Sequence, residues 1–408
     1  MATVRPFRAF RPAPSLAAVV ASPPYDVIST AEARKLAEGN PASFLHVSRP
    51  EIDLPEGTDE HDDAVYATGA KNLAKLIADG ALSQDPEPHL YLYAQTMGEH
   101  RQIGVVGCAA VSEYLAGTIK KHEKTRADKE DDRTRHIDEL AAHDEPVFLT
   151  YRNDGAIDAL VRASTEAPPI YDFTTKDGVG HRFWVLGRDA TRALEERFEG
   201  VPCLYVADGH HRSAAAARVH QKSRGDGREH DVFLAVVFPH DQMKIMPYNR
   251  VVRDLEGRTP DQILARLSQV MRVEPCPDGL AATPPAPRTF GAYLAGRWYL
   301  LRAPALDPER ARDPVASLDC SIVQDLLLGP IFDVTDPRRD KHVDFVGGIR
   351  GFGELERRVD AGAFTLGLHL YPTQIEELFA VSDAGLLMPP KSTWFEPKLR
   401  SGLFVHAF

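Results

Sequence analysis

Several quick indicators of function are missing from this chain. It has only four cysteines in 408 residues, and Cys108, Cys203, Cys276 and Cys320 form no CxxC pair, which argues against a zinc ribbon or a dithiol redox centre. No apolar run approaches the ~20 residues that a membrane-crossing helix needs. The short run 15–22 is bracketed by Pro12, Pro14, Pro23 and Pro24 and reads as a strand rather than a signal core. Positive charge is in deficit: 48 Lys and Arg against 59 Asp and Glu leave a net charge of -11. That balance works against non-specific attraction to nucleic acid. There is no GxGxxG, no GxSxG elbow and no protein-kinase signature set. His136 and His143 are seven residues apart rather than four, so the HExxH zinc pattern fails and no transition-metal site is expected. Nor is there an internal repeat or an extended low-complexity tract.

What is present is ordinary globular composition, 43% hydrophobic and 26% charged. The length allows two or three cores, and the chain is expected to be cytoplasmic. Strand and helix signals alternate. Ser29 to Glu32 spells a capping box for a helix ending near Gly39, and 44–47 reads as a strand. Tyr66, Leu73, Leu76 and Ile77 share a helix face. Residues 90–95 and 103–107 make a hairpin about Gly98. The charged run 120–143 suggests a solvated helix or a mobile loop. Strand 147–151, a hairpin at Asp177-Gly178 and a helix over 189–198 come next. Past a buried strand at 232–238, a helix over 260–271, a hairpin at Gly296-Arg297 and a proline-rich stretch at 275–288 precede an alternating strand at 364–370. Thr373 reads as the cap of a helix running through Phe379. The expected fold class is mixed α/β, with several mixed sheets and flanking helices. Three domains are drawn: 1–118 and 119–255, then 256–408 carrying the KSTWFEPK loop.

The most informative stretch is 201–219, where an apolar strand stops at Asp208-Gly209-His210-His211-Arg212 and an alanine-rich helix begins at once. Gly209 tolerates a positive φ or a close ligand, and the first amides of a helix have no internal partner. A phosphate is the natural guest of such a corner. Arg212 can grip two phosphate oxygens, and Ser213 follows within the same first turn. Asp208 is an acceptor among donors; it suits orienting a histidine, holding magnesium or taking a proton.

Three further places carry chemistry. In 22–27 two prolines brace a turn that presents Tyr25 and Asp26, or simply end a strand. His122-Glu123-Lys124-Thr125 sets a glutamate among cations, where it would stay ionised as a metal ligand or base near phosphate, or be ordinary surface. In 388–398, Lys391-Ser392-Thr393 imitates the end of a P-loop, but no upstream Gly-x-x-x-x-Gly precedes it and the Walker reading fails. A lysine and two hydroxyls could still close over phosphate, with Lys398 beyond them; equally, the loop could pack Trp394 and Phe395 into a core.

Taken together, PFRAFRP at the start, SPPYDV, HEKT, ADGHHR and the closing MPPKSTWFEPKLRSGL resemble the DUF1015 family, over nearly the whole chain. The DGHHR element in turn resembles that of the ADP-dependent free-serine kinase, within the ParB/sulfiredoxin-like superfamily, over 201–219 only. The first resemblance comes with a departure: family members often carry proline-lysine after HExT, where this chain has Asp128-Lys129. The second implies a ParB/sulfiredoxin-like strand-DGHHR-helix core and a kinase moving phosphate between a nucleotide and a small hydroxyl metabolite such as free L-serine. A nucleotide-operated switch is the alternative. Under this reading Asp208, His210, His211 and Glu123 are catalytic candidates. Gly209, Arg212, Ser213, Lys391, Ser392 and Thr393 hold the cofactor, a nucleotide (ADP or ATP) with Mg²⁺. Tyr25, Asp26, His122 and Lys398 meet the substrate. The partners expected are the nucleotide and a small molecule, with no membrane and no nucleic acid; monomer and homodimer both stay open.

Overall fold

Among the described residues, short apolar runs separated by tight turns form the strands of two large sheets, one of nine strands and one of six, with helices set between the strands in sequence. The computed structural model describes residues 1–223 and 229–408. The chain divides into two units: Met1–Lys121 with Thr125–Met243 and Pro397–Phe408, and His122–Lys124 with Lys244–Glu396.

Among the described residues the main sheet of the first unit has nine strands: β1 (Val4–Arg5), β2 (Tyr91–Met97), β3 (His100–Ala110), β4 (Ile119–Lys120), β5 (Val147–Tyr151), β6 (Tyr171–Thr174), β7 (Gly180–Val185), β8 (Leu204–Asp208) and β9 (Val232–Pro239). They form one sheet in the order β4-β8-β5-β9-β3-β2-β7-β6, with β1 on β3. Strand β9 runs parallel to β5 and antiparallel to β3. That interior position explains why all eight of its residues are buried and why it reads as an unbroken apolar run. The boundary drawn on the sequence at 118/119 falls inside this sheet, since strands from both sides of it pair.

The expected β2/β3 hairpin turns through Gly98, at φ 59°. Residues 401–405 return to the N-terminal segment: Val405 and Phe10 exchange backbone hydrogen bonds (2.8 and 2.9 Å), as do Ser401 and Ser22 (2.9 and 3.1 Å). Phe404 stacks on Phe183, which stacks in turn on Tyr91 and Tyr171. This stack anchors the chain end and, with it, the segment carrying Lys398.

Helices α1 (Thr30–Ala37), α2 (Asp63–Ala78), α3 (Ala127–Leu140) and α4 (His210–Ser223) matter for the site. The Ser29/Glu32 capping box of α1 is complete. The strand expected at 15–22 is instead a turn of 3-10 helix at Pro14–Leu16 followed by helix Ala17–Val20. Pro14 occupies the first turn, where its missing N–H costs nothing, and Ala17 and Val20 bury at helical spacing. The strand expected at 44–47 is helix Leu45–Ser48, begun by Ser43, whose hydroxyl accepts from the Leu45 amide. Four residues, three of them apolar, are too few for periodicity to separate the two states. The charged run is a helix, α3, but not a solvated one: Asp132, Arg133, Thr134, His136, Ile137 and Leu140 are all buried.

The second unit is built on β10 (Tyr248–Val252), β11 (Arg272–Cys276), β12 (Thr289–Leu294), β13 (Arg297–Arg302), β14 (Val343–Gly347) and β15 (Leu366–Leu370), in the order β11-β13-β12-β15-β10-β14. Helices Pro260–Val270, Gly351–Asp360 and Ile375–Asp383 belong to it. Lys244–Met246 pairs with Trp394–Glu396, and a Cβ at Gly347 would lie 2.6 Å from the Trp394 indole. Thr373 is not the expected cap. Gln374 and Glu377 form the capping box of Ile375–Asp383, and the Thr373 hydroxyl donates to the Ser392 carbonyl (2.7 Å).

Candidate functional site

The Asp208 corner forms as its local sequence dictates. The register of β8 against β5 shifts between Val206 and Asp208, a bulge that re-aims the strand end. Gly209 then takes φ 92°. A Cβ there would sit 3.2 Å from the Arg212 guanidinium, so glycine is required twice over, by conformation and by contact. The first helical hydrogen bond of α4 runs from the Ser213 amide to the Gly209 carbonyl (2.9 Å), which leaves His210, His211 and Arg212 in the turn whose amides precede the helical ladder. Ala215, Ala216, Ala217 and Val219 bury the helix behind them.

Charge gathers tightly here. The Lys398 ammonium donates to Asp208 Oδ2 at 2.9 Å, and the Gly209 amide donates to Oδ1 at 2.8 Å. One Arg212 nitrogen stands 3.9 Å from Asp26 and 4.0 Å from Asp208, and another donates to the Pro146 carbonyl. Although burial alone would raise it, the carboxyl of Asp208 lies well below the usual carboxylate range, because Lys398 and Arg212 outweigh burial. A carboxylate so firmly ionised is a poor proton acceptor at neutral pH and a good electrostatic anchor or metal ligand.

Behind the corner sits a second carboxyl that the sequence reading passed over. Glu145 Oε1 accepts from the Tyr25 amide and from the Ser401 hydroxyl, each at 2.9 Å. Burial, and then the neighbouring Asp144, push its carboxyl up to about 7. Arg133 stacks 4.0 Å over the Tyr25 ring and donates to Asp132 (2.9 Å), while His136 pairs with Asp144 at 3.0 Å. Burial drives the Tyr25 phenol above its ordinary value, so it is neutral. Arg133, His136, Asp144, Glu145 and Arg212 line a cavity of about 10 Å³, room for roughly one water.

The structure therefore brings Tyr25, Asp26, Asp208, Gly209, Arg212 and Lys398 into one network, joined by Glu145, Arg133 and Ser401. Two expected members are committed elsewhere. Ser213 is fully buried and its hydroxyl donates to the His210 carbonyl (3.1 Å), an intrahelical bond. The Nε2 of His211 accepts from the Arg126 amide (3.2 Å), just before α3 starts; this fixes its proton on Nδ1. His210 is buried. The signal for Glu145 was present, an acidic pair followed by proline at the start of an apolar strand, but nothing in that spacing separates it from a surface pair.

The remaining candidates lie in the second unit. There the His122 carbonyl accepts from the Met388 amide (2.7 Å), and His122 Nε2 lies 3.1 Å from the Thr393 hydroxyl. This holds the His122-Glu123-Lys124 segment against the 388–396 loop. Lys391 is exposed, with its ammonium 5.8 Å from the Tyr248 ring centre. Ser392 is buried; its hydroxyl donates to the Pro389 carbonyl (2.6 Å) and lies 3.1 Å from Cys320 Sγ. It is a bracing residue of the loop.

Fold and site together describe a mixed α/β protein whose largest sheet ends in a charged strand-to-helix corner. The profile of the family described as "Protein of unknown function (DUF1015)" matches residues 4–321, and the chain belongs to that family. No curated protein matches it. Solved structures similar to it include a conserved hypothetical protein from Pyrococcus furiosus (12% identity, TM-score 0.36, covering 74% of this chain and 95% of that one). Another is a free serine kinase in complex with AMP (11%, TM-score 0.35, 74% and 92%). A third is C-terminally truncated SbnI from Staphylococcus aureus (13%, TM-score 0.32, 74% and 87%). All are distant. Among the described residues no helix is long and apolar enough to cross a membrane.

Proposed function

We propose that this protein is a phosphotransferase that moves phosphate between a nucleotide and a small hydroxyl metabolite, with free L-serine the first acceptor to test. The observation that carries the reading is the Lys398–Asp208 pair, at 2.9 Å, set at a positive-φ glycine where a 14-residue helix begins. Phosphoryl transfer asks a protein chiefly for positioning and charge neutralisation. Lys398 supplies a compact cation and Arg212 a planar one, and the first turn of α4 adds the positive end of a helix.

Two carboxylates beside those cations would repel a bare phosphate. They suit a phosphate accompanied by Mg²⁺: Asp26 and Asp208 flank the same Arg212 nitrogen, and their side chains keep 37% and 26% exposure, so hard oxygen donors remain within a ligand's reach. The residues thus fit a magnesium nucleotide, whose ion would neutralise phosphoryl charge. Asp208 orients Lys398, and with its carboxyl held well below the usual carboxylate range it is a weak base for the acceptor's proton. Arg212 is held in turn by the Pro146 carbonyl, which keeps its fork in one orientation.

The test is a melting screen of the full chain with ADP, ATP, CTP, GTP and pyrophosphate in Mg²⁺, followed by phosphorus NMR with hydroxy amino acids. A nucleotide-dependent rise in melting temperature together with acceptor-dependent phosphomonoester signal is the expected result. A rise with no product for any acceptor overturns the transfer and leaves a nucleotide-operated switch.

A further inference from the structure

The second unit has a charge problem of its own. Arg250, on β10 between β14 and β15 in the sheet, is only 3% exposed. Its guanidinium donates to the Tyr248 carbonyl and stands 5.3 Å from the Phe345 ring centre. Among the described residues no carboxylate pairs with it. Its strongest acidic neighbour is Cys320, but burial pushes that thiol up and keeps it neutral. Asp319, the next residue along, accepts instead from the Arg288 amide (2.7 Å). A buried guanidinium without a counter-ion is costly, and an apolar residue would fill the position more favourably; burial accordingly lowers its pKa. The ring of Phe345 offsets part of that cost.

The loop beside it adds a second cation. Lys391 is exposed, holds φ 57°, and places its ammonium 5.8 Å from the ring of Tyr248, the residue whose carbonyl Arg250 holds. Ser392 lies against Cys320 at 3.1 Å. A buried guanidinium and an exposed ammonium can together hold a phosphate group, one supplying the planar fork and the other a point charge.

We infer that Arg250 and Lys391 form an anion-binding site in the second unit that takes a phosphate group. The inference does not rest on the reading of the Asp208 corner. Tungstate soaked into crystals of the full chain locates anions directly, and titration with inorganic phosphate measures them in solution. Tungstate is expected within hydrogen-bonding distance of Arg250, and phosphate affinity at that site should weaken at least about tenfold in both R250M and K391A. Tungstate at the Asp208 corner alone, or at neither place, overturns this site; tungstate at Arg250 alone supports it and leaves the proposed function standing, because the carboxylates of the Asp208 corner repel a bare anion. R250M should melt no lower than the wild type in phosphate-free buffer. Should it fail to fold, K391A, altered at an exposed position, decides: unchanged phosphate affinity in that variant overturns the site.

Discussion

The two units treat a buried arginine in opposite ways. In the first, Arg212 is held by the Pro146 carbonyl and flanked by Asp26 and Asp208, and Lys398 completes the balance at Asp208. In the second, Arg250 has one backbone carbonyl and one aromatic ring, and no carboxylate among the described residues pairs with it. A paired charge holds its surroundings together, because removing it strands its partners. An unpaired one makes its unit less stable until an anion arrives. The same residue type is therefore structural glue at one position and a ligand-dependent liability at the other, and mutation should separate the two by sign.

The largest expected effect is at the paired arginine. Arg212→Ala should destabilise the fold by about 3–5 kcal/mol in denaturant melts, because Asp26, Asp208 and the Pro146 carbonyl lose a buried partner. It should also abolish any nucleotide response; a variant that melts like the wild type would erase the contrast with R250M. Next comes Gly209→Ala, expected to cost about 2 kcal/mol, since φ 92° is strained for alanine and its Cβ meets the Arg212 guanidinium.

Glu145→Gln sharpens the comparison through pH. The folded carboxyl sits near 7, above its unfolded value of about 4.5, so the native state binds more protons than the unfolded chain in that window. Its contribution is fully present below about 4.5 and is lost as pH rises through about 7. The glutamine variant should therefore gain on the wild type as pH rises between those limits, by up to about 1.4 kcal/mol for each pH unit. Parallel melting curves for the two proteins across that range would refute the assignment.

Lys398→Met should cost about 1 kcal/mol near neutral pH, the scale of a partly exposed pair. It should also raise the Asp208 titration, visible by NMR. Asp208 has a lowered folded pKa, so its stabilisation is present above the unfolded value and lost as pH falls through the folded one; weakening the pair moves that loss to higher pH. The smallest effect belongs to Ser213→Ala. The hydroxyl bonds within its own helix, so the change should stay below about 1 kcal/mol and leave any nucleotide response intact.

Much of this could be read from spacing. The 201–219 corner, the β2/β3 hairpin, the Ser29 capping box and the buried strand β9 all rest on signals confined to a few neighbouring residues. The misreadings at 15–22 and 44–47 have the same origin: runs so short satisfy strand and helix patterns alike, and burial against distant segments decided them. Helix α3 is the instructive intermediate. Helix was one of the two states its sequence offered, beside a mobile loop, and a run so charged gave no sign that one face would be buried, because that depends on Asp144, Tyr25 and Tyr66 meeting it from elsewhere.

Sequence alone determined the strand, the Asp-Gly step and the helix of the Asp208 corner, since each follows from backbone preferences and side-chain periodicity over a few positions. Tertiary structure decided which charges meet there: Lys398 reaches Asp208 across 190 positions, and Ser401 reaches Glu145 across 256. Local periodicity cannot encode such pairings. They exist because residues 401–405 bond back to the N-terminal segment, and because in a low-dielectric interior each buried charge gains most from an opposite charge, wherever along the chain it comes from.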